Sequence, residues 1–121
     1  MISQIKFVSI PVTDQQRDLE FYTEKLGFIV KTDAPMGEGM RWLELQIPGA
    51  ETRVVLFTAP GQEDLIGRWA PVVWGCKDVQ KTFEELTARG VTFTQGPKKE
   101  DWGMSAFFVD PDANTFLLSS D

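Results

Sequence analysis

The side chains of this chain that can do chemistry are carboxylates, amines, hydroxyls, one thiol and a large set of rings. There is no histidine among the 121 residues, which removes the commonest general base and the commonest transition-metal ligand together. A histidine-based triad and a histidine-bound zinc or iron site are therefore excluded. The single cysteine, Cys76, excludes an internal disulfide, a CxxC redox pair and a thiolate metal cage. With no histidine to deprotonate it, Cys76 reads as a buried structural thiol. Recognition chemistry is better supplied, by four tryptophans, nine phenylalanines and one tyrosine. Trp42 and Glu44 alternate onto one face of a strand, where an indole wall beside a lone carboxylate suits a cationic or hydrogen-bonding ligand. An edge pair facing solvent or a partner subunit has the same signature. Arg41 and Arg53 alternate onto the helix side or the rim, where a surface ion pair with Glu51 is the simplest reading.

Charge narrows the partners. The formal net charge is -6, which opposes binding to phosphate backbones and tolerates cationic compounds. No window reaches the roughly 20 apolar residues of a membrane span, and Met1 to Lys6 lacks a charged-then-apolar leader pattern. The expectation is a cytoplasmic protein that engages neither nucleic acid nor membrane. A hydrophobic fraction of 42% with 25% charged residues is the balance of a globular domain.

The elements that must position these groups follow from periodicity. Ile5 to Val12 alternates as a strand. Thr13 with Gln16, or Asp14, then caps a helix whose inner face carries Leu19, Tyr22 and Leu26, and Gly27 ends it. Phe28 to Thr32, Arg41 to Ile47 and Thr52 to Thr58 are three more strands, with Met36 to Met40 a Gly-rich loop. The same order returns after residues 59–70: a strand at Pro71 to Cys76, a helix capped by Asp78 with Val79, Phe83 and Leu86 inside, Gly90, and strands at Val91 to Thr94, Gly103 to Val109 and Asn114 to Ser119. The capping aspartates lie 64 positions apart and the terminating glycines 63, which marks an internal duplication. The expected fold class is α+β, with paired βαβββ modules forming a curved, trough-like mixed sheet. One domain is expected, made of residues 1–58, a connector over 59–70, and residues 71–121. Alternation puts Val8, Ile10, Val12, Val55, Phe57, Trp74, Phe116 and Leu118 on the helix side, and Phe7, Ser9, Val54, Leu56, Val73, Thr115 and Leu117 in the trough.

Two stretches carry a family resemblance. Phe21-Tyr22-Thr23-Glu24-Lys25-Leu26-Gly27-Phe28 is similar to the FYxxxLGF helix end, and Phe108-Val109-Asp110-Pro111-Asp112-Ala113-Asn114 to the FxxDPDGN turn, of the vicinal oxygen chelate superfamily, also called the glyoxalase, bleomycin resistance and extradiol dioxygenase family. The resemblance implies a homodimer or fused pair of modules holding a ligand in the trough. It also implies metal ligands on the first and last strands of each module in the metal-dependent members. Carried over one by one, those positions fall on Phe7, Leu56, Pro71 and Leu117, none of which can coordinate through its side chain. Glu44 alone is too few donors for a hard cation, so no metal and no cofactor are expected. In the family the loop before the seventh strand often covers the trough, which here makes Trp102, within Lys98-Lys99-Glu100-Asp101-Trp102-Gly103, a candidate lid.

The functional expectation is a metal-independent binding protein that sequesters an aromatic or amphipathic small molecule, with a cationic one favoured. Its site would be lined by Phe7, Trp42, Glu44, Val54, Leu56 and Leu117 and capped by Trp102. The alternative is a divergent lyase, isomerase or dioxygenase with Glu44 as acid or base. A third reading is a structural dimer whose trough is filled by its own side chains.

Overall fold

Two aspartates start the two helices. In the computed structural model, which describes residues 1–37 and 39–120, the Asp14 carboxylate accepts from the Arg17 amide at 3.0 Å and opens α1, Gln15–Glu20. Asp78 accepts from the Lys81 amide at 3.0 Å and opens α2, Val79–Ala88. Each satisfies one of the amide donors that a helix start leaves free. Asp14, not Thr13, is therefore the cap; the Thr13 hydroxyl accepts from the Arg17 guanidinium instead. The α1 helix continues into one turn of π-helix, Phe21–Lys25, which the sequence did not announce. The wider turn puts the adjacent Phe21 and Tyr22 both into the interior. Gly27 and Gly90 follow the helices with φ of 80° and 92°, a conformation that costs a residue with a Cβ.

The chain divides into two compact units, residues 1–66 and 67–121. In the first, β1 (Phe7–Ile10), β2 (Ile29–Pro35), β3 (Arg41–Gln46) and β4 (Arg53–Leu56) form a mixed sheet in the order β1-β4-β3-β2, with β1 and β4 parallel. In the second, β5 (Trp69–Gly75), β6 (Thr92–Glu100), β7 (Gly103–Val109) and β8 (Thr115–Ser120) repeat that order as β5-β8-β7-β6, with β5 and β8 parallel. Each unit is thus a βαβββ module, and the fold is α+β as expected. The expected connector is shared between the units. Its short 3-10 turn, Glu63–Leu65, belongs to the first, and Trp69 already opens β5 of the second.

The two cores are built differently. The first is aliphatic: Ile10, Leu43, Leu45, Val54 and Leu56 are buried on one face of the sheet, joined by Tyr22. The second is a chain of rings in which Phe83 of α2 meets Phe93 at 4.7 Å, Phe93 meets Phe108 at 5.6 Å, Phe108 meets Phe116 at 5.5 Å and Phe116 meets Trp74 at 5.4 Å. Such pairs contribute about 0.5–1.5 kcal/mol each beyond their buried area. Trp74, Phe116 and Leu118 lie on this helix-side face as alternation predicts, and Val73, Thr115 and Leu117 on the other.

β6 runs well past its expected end at Thr94. Gly96-Pro97 reads as a strand breaker, yet the register shifts on either side of Gln95 accommodate it, so the prolyl nitrogen, which has no proton, needs no ladder partner. The consequence for Trp102 is direct. It stands not in a long loop but at the tip of a tight hairpin, with Glu100 paired to Gly103 on either side.

The turn between β7 and β8 is tied by Asp110. Its Oδ1 accepts from the amides of Asp112 at 2.9 Å and Asn114 at 3.0 Å, and its Oδ2 from the Asn114 side chain at 2.8 Å. Within this turn Ala113 has a φ of 64°, the one described non-glycine residue with a positive value. A Cβ there costs on the order of 1 kcal/mol. Ala113→Gly is therefore expected to raise stability by about 0.5–1 kcal/mol, a thermal shift of about 2–4 °C. An unchanged or lower melting temperature by calorimetry would contradict this reading of the turn.

Candidate functional site

The parallel pairing of β1 with β4 decides which side chains can meet on the face of the first sheet away from its aliphatic core. Register partners point to the same face. Phe7 lies opposite Arg53 and Ser9 opposite Val55, whereas Val8 lies opposite Val54 and Ile10 opposite Leu56. Glu44 of β3 lies opposite Val55. Val54 and Leu56 therefore sit with Ile10 in the core, fully buried, and do not share the face of Phe7. That corrects the face expected for them: Phe57 and the equally buried Val55 lie on the side of Phe7 instead. The carry-over of a metal-ligand position onto Leu56 shifts likewise to a neighbour, Val55 or Phe57, and neither has a donor atom. A signal for the right phase was present at Arg53. A guanidinium on a helix-packed face would bury a charge at a cost of several kcal/mol, so residues 53, 55 and 57 belong to the open face.

That face assembles around Trp42. Its ring meets Phe7 edge-on at 5.4 Å and Phe57 at 6.3 Å. The indole Nε1 donates to Glu44 Oε1 at 3.2 Å, and Arg53 Nη1 donates to Glu44 Oε2 at 3.5 Å. Trp42 and Glu44 thus share a face as alternation predicts, and Arg53 pairs with Glu44, not with Glu51. Alternation assigns Phe57 to the helix side, whereas its contact with Trp42 puts it on this face. It leads from the ring cluster into a hollow of about 150 Å³ between Ser9, Pro11, Phe57 and Leu65.

A wider, open groove of about 910 Å³ runs past the start of α1, between Gln15, Gln16, Met40, Arg41, Thr58 and Glu63. Several of its polar groups are engaged with one another. The Gln15 amide donates to the carbonyls of Arg41 and Leu56 at 2.8 Å each and accepts from the Arg41 amide at 3.1 Å. Arg41 forks onto Asp33 at 3.0 and 2.7 Å and reaches Gln16 at 2.9 Å. This network ties the helix start to the mouths of β3 and β4. Of the Met36 to Met40 loop, Glu38 lies outside the described residues, and the Met36 amide donates to the Met40 carbonyl at 2.9 Å.

In the second unit, Leu117 shares a face with Val73 and Phe107, and Trp69 packs on Phe107 at 5.1 Å. Pro71 is exposed on β5 where the register with β8 shifts. Trp102 is 55% exposed at its hairpin tip. Cys76 is half-buried, and its amide donates to the Ser119 carbonyl at 3.0 Å. Among the described residues no helix is long and apolar enough to cross a membrane.

These two βαβββ units are shared with known proteins. The profile of the glyoxalase/bleomycin resistance protein/dioxygenase superfamily matches residues 4–118, and the chain belongs to that superfamily. It is 40% identical to the Bacillus subtilis (strain 168) protein YetH over 118 residues, 98% of each chain. Among solved structures it resembles TnmS3, an antibiotic binding protein from Streptomyces sp. CB03234, with 36% identity, a TM-score of 0.86, and 98% and 96% of the two chains covered. It also resembles a glyoxalase/bleomycin resistance protein from Streptomyces sp. CB03234, with 35% identity, a TM-score of 0.79, and 96% and 99% covered.

The Asp33–Arg41 pair carries a pH signature. The hydrogen bonds from Arg41 hold the Asp33 carboxyl below its ordinary value of 3.8. A depressed carboxylate contributes stability above its unfolded value and loses that contribution as pH falls through the folded one. Asp33→Asn should therefore melt slightly below wild type at neutral pH, and the gap should close below pH 3.8. The exposure of the pair keeps the effect small and salt-sensitive. A gap that persists in acid, measured by thermal melts across pH, would show that the pair is not its source.

Proposed function

We propose that this chain binds an aromatic or amphipathic small molecule and sequesters it without chemistry on it, using the ring-lined face of the first unit. The observation that carries this reading is Trp42 held between Phe7 and Phe57 beside a carboxylate. Flat rings with one fixed polar group are what a small-molecule site needs for burial and orientation. The likeness to an antibiotic binding protein supports the binding of a small molecule. Metal independence is part of the proposal, because Phe7, Val55 and Phe57 offer no donor where β1 and β4 line this face. We further propose that the protein works as a homodimer. β5 is an edge strand of its sheet and carries the exposed Trp69 and Val73, which a partner copy would cover. The reading of Glu44 as an acid or base is the weaker one, since Trp42 and Arg53 occupy one oxygen each.

The binding face can be tested with indole as a flat probe, followed by two-dimensional NMR titration. Wild type should show saturable shifts confined to residues around Trp42. Trp42→Ala should weaken binding at least about tenfold, equivalent to about 1.4 kcal/mol, while retaining a folded spectrum. Equal affinity in Trp42→Ala, or shifts centred elsewhere, would sink the assignment.

A further inference from the structure

The carboxylate on the ring-lined face has no free charge to offer, and the cation beside it has free donors. Glu44 Oε1 is taken by the Trp42 indole at 3.2 Å and Oε2 by Arg53 Nη1 at 3.5 Å. The Glu44 and Arg53 side chains, 19% and 25% exposed, therefore form a locally neutral pair in partial shelter from water. Of the five N–H bonds of a guanidinium, the one on Arg53 Nε is shut away from solvent with no partner among the described residues. An uncompensated donor costs the full desolvation of that group and calls for an acceptor that the protein itself does not provide.

From this we infer that the ligand is recognised through an oxygen acceptor, a carbonyl or carboxylate carried on its flat ring, which Arg53 takes by the Nε and Nη2 edge of its guanidinium. The inference rests on the binding reading above and deepens it, because it names the polar group and the residue that selects it. Nη1 is committed to Glu44, which leaves the Nε and Nη2 edge, two parallel N–H bonds, as the part of the fork without an acceptor among the described residues. The Arg53 side chain as a whole is a quarter exposed, and a ligand acceptor would reach the sheltered Nε as that side chain turns toward the open face. Glu44 then serves as a positioning residue, holding the guanidinium and the indole in one geometry. A cationic ligand finds no vacancy here, since it would have to displace Arg53 from Glu44. The sequence-based preference for a cation came from the net charge of -6, which acts at long range and is screened by salt, whereas this pair acts at contact.

Four probes that share one ring separate the possibilities: indole, indole-3-carboxaldehyde with a neutral acceptor, indole-3-acetate with an anionic one, and tryptamine with a cation. Affinities are read by the same NMR titration on wild type, Arg53→Lys and Arg53→Met, each checked for an unchanged fold by its amide spectrum. The wild-type protein should bind the aldehyde or the acetate at least about fivefold tighter than indole, and tryptamine no tighter than indole. Which of the two leads tells whether the natural acceptor is a carbonyl or a carboxylate. Arg53→Lys keeps the charge opposite Glu44 but loses the fork, so the ratio to indole should fall below about twofold. In Arg53→Met the ratio should vanish, and tryptamine should become the tightest probe because Glu44 is released. A preference that survives both substitutions, tryptamine binding tightest in wild type, or all four probes binding alike would overturn the inference and leave the binding face standing. If none of the four saturates at millimolar concentration, the binding reading falls, and the inference with it.

Discussion

The parallel pairing of β1 with β4 is the constraint on which the first unit depends. In a strand, side chains alternate with period two, so one pairing decision distributes every residue of both strands between two faces. With Phe7 opposite Arg53 and Ile10 opposite Leu56, the aliphatic residues 10, 54 and 56 close the core, and residues 7, 53, 55 and 57 are left to the other face. A slip of one residue would bury the Arg53 guanidinium against the core and expose Val54 and Leu56. Core formation and site formation are thus one event, because the polar residue that cannot go inside marks the open side.

Electrostatics on that open side are local. A lone glutamate beside a tryptophan suggests a counter-charge for a cation when only one strand is considered. The neighbouring strand supplies Arg53 and removes the vacancy. What is left is a ring surface flanked by a neutral pair, with unspent donors on the cation. The Asp33–Arg41 fork at the start of β3 shows the contrast. There the carboxylate takes both the Nε and the Nη2 of its arginine, and the groove beside it keeps little unsatisfied.

The two units repeat one topology on different side chains. The first packs Leu, Ile and Val beneath a helix that widens into a π turn at Phe21, and the second packs five rings in series beneath α2. The Asp110 turn is retained through its hydrogen bonds even though Ala113 stands at a positive φ. The carboxylate that gathers two amides and the Asn114 side chain outweighs the strain of one Cβ. The chain has no histidine, and on the open face of the first unit Phe7, Val55 and Phe57 carry apolar side chains beside Glu44 and Arg53.

Much of the fold was legible in the chain itself. The caps at Asp14 and Asp78, the glycines after each helix and the repeated order of strands are written in local chemistry, where a carboxylate or a missing Cβ acts within a few residues. The motifs at residues 21–28 and 108–114 were enough to indicate the family. Trp42 and Glu44 were legible as a pair because they lie two residues apart on one strand. Features that depend on partners distant in sequence were not. The phase of β4, the exchange of Val54 and Leu56 for Val55 and Phe57, the passage of β6 through Gly96-Pro97 and the pairing of Arg53 with Glu44 all hang on register. Local patterns determined which elements exist, because capping and periodicity act within one stretch of chain; only the tertiary pairing of strands decided which side chains meet, because register is chosen by burying a whole face at once.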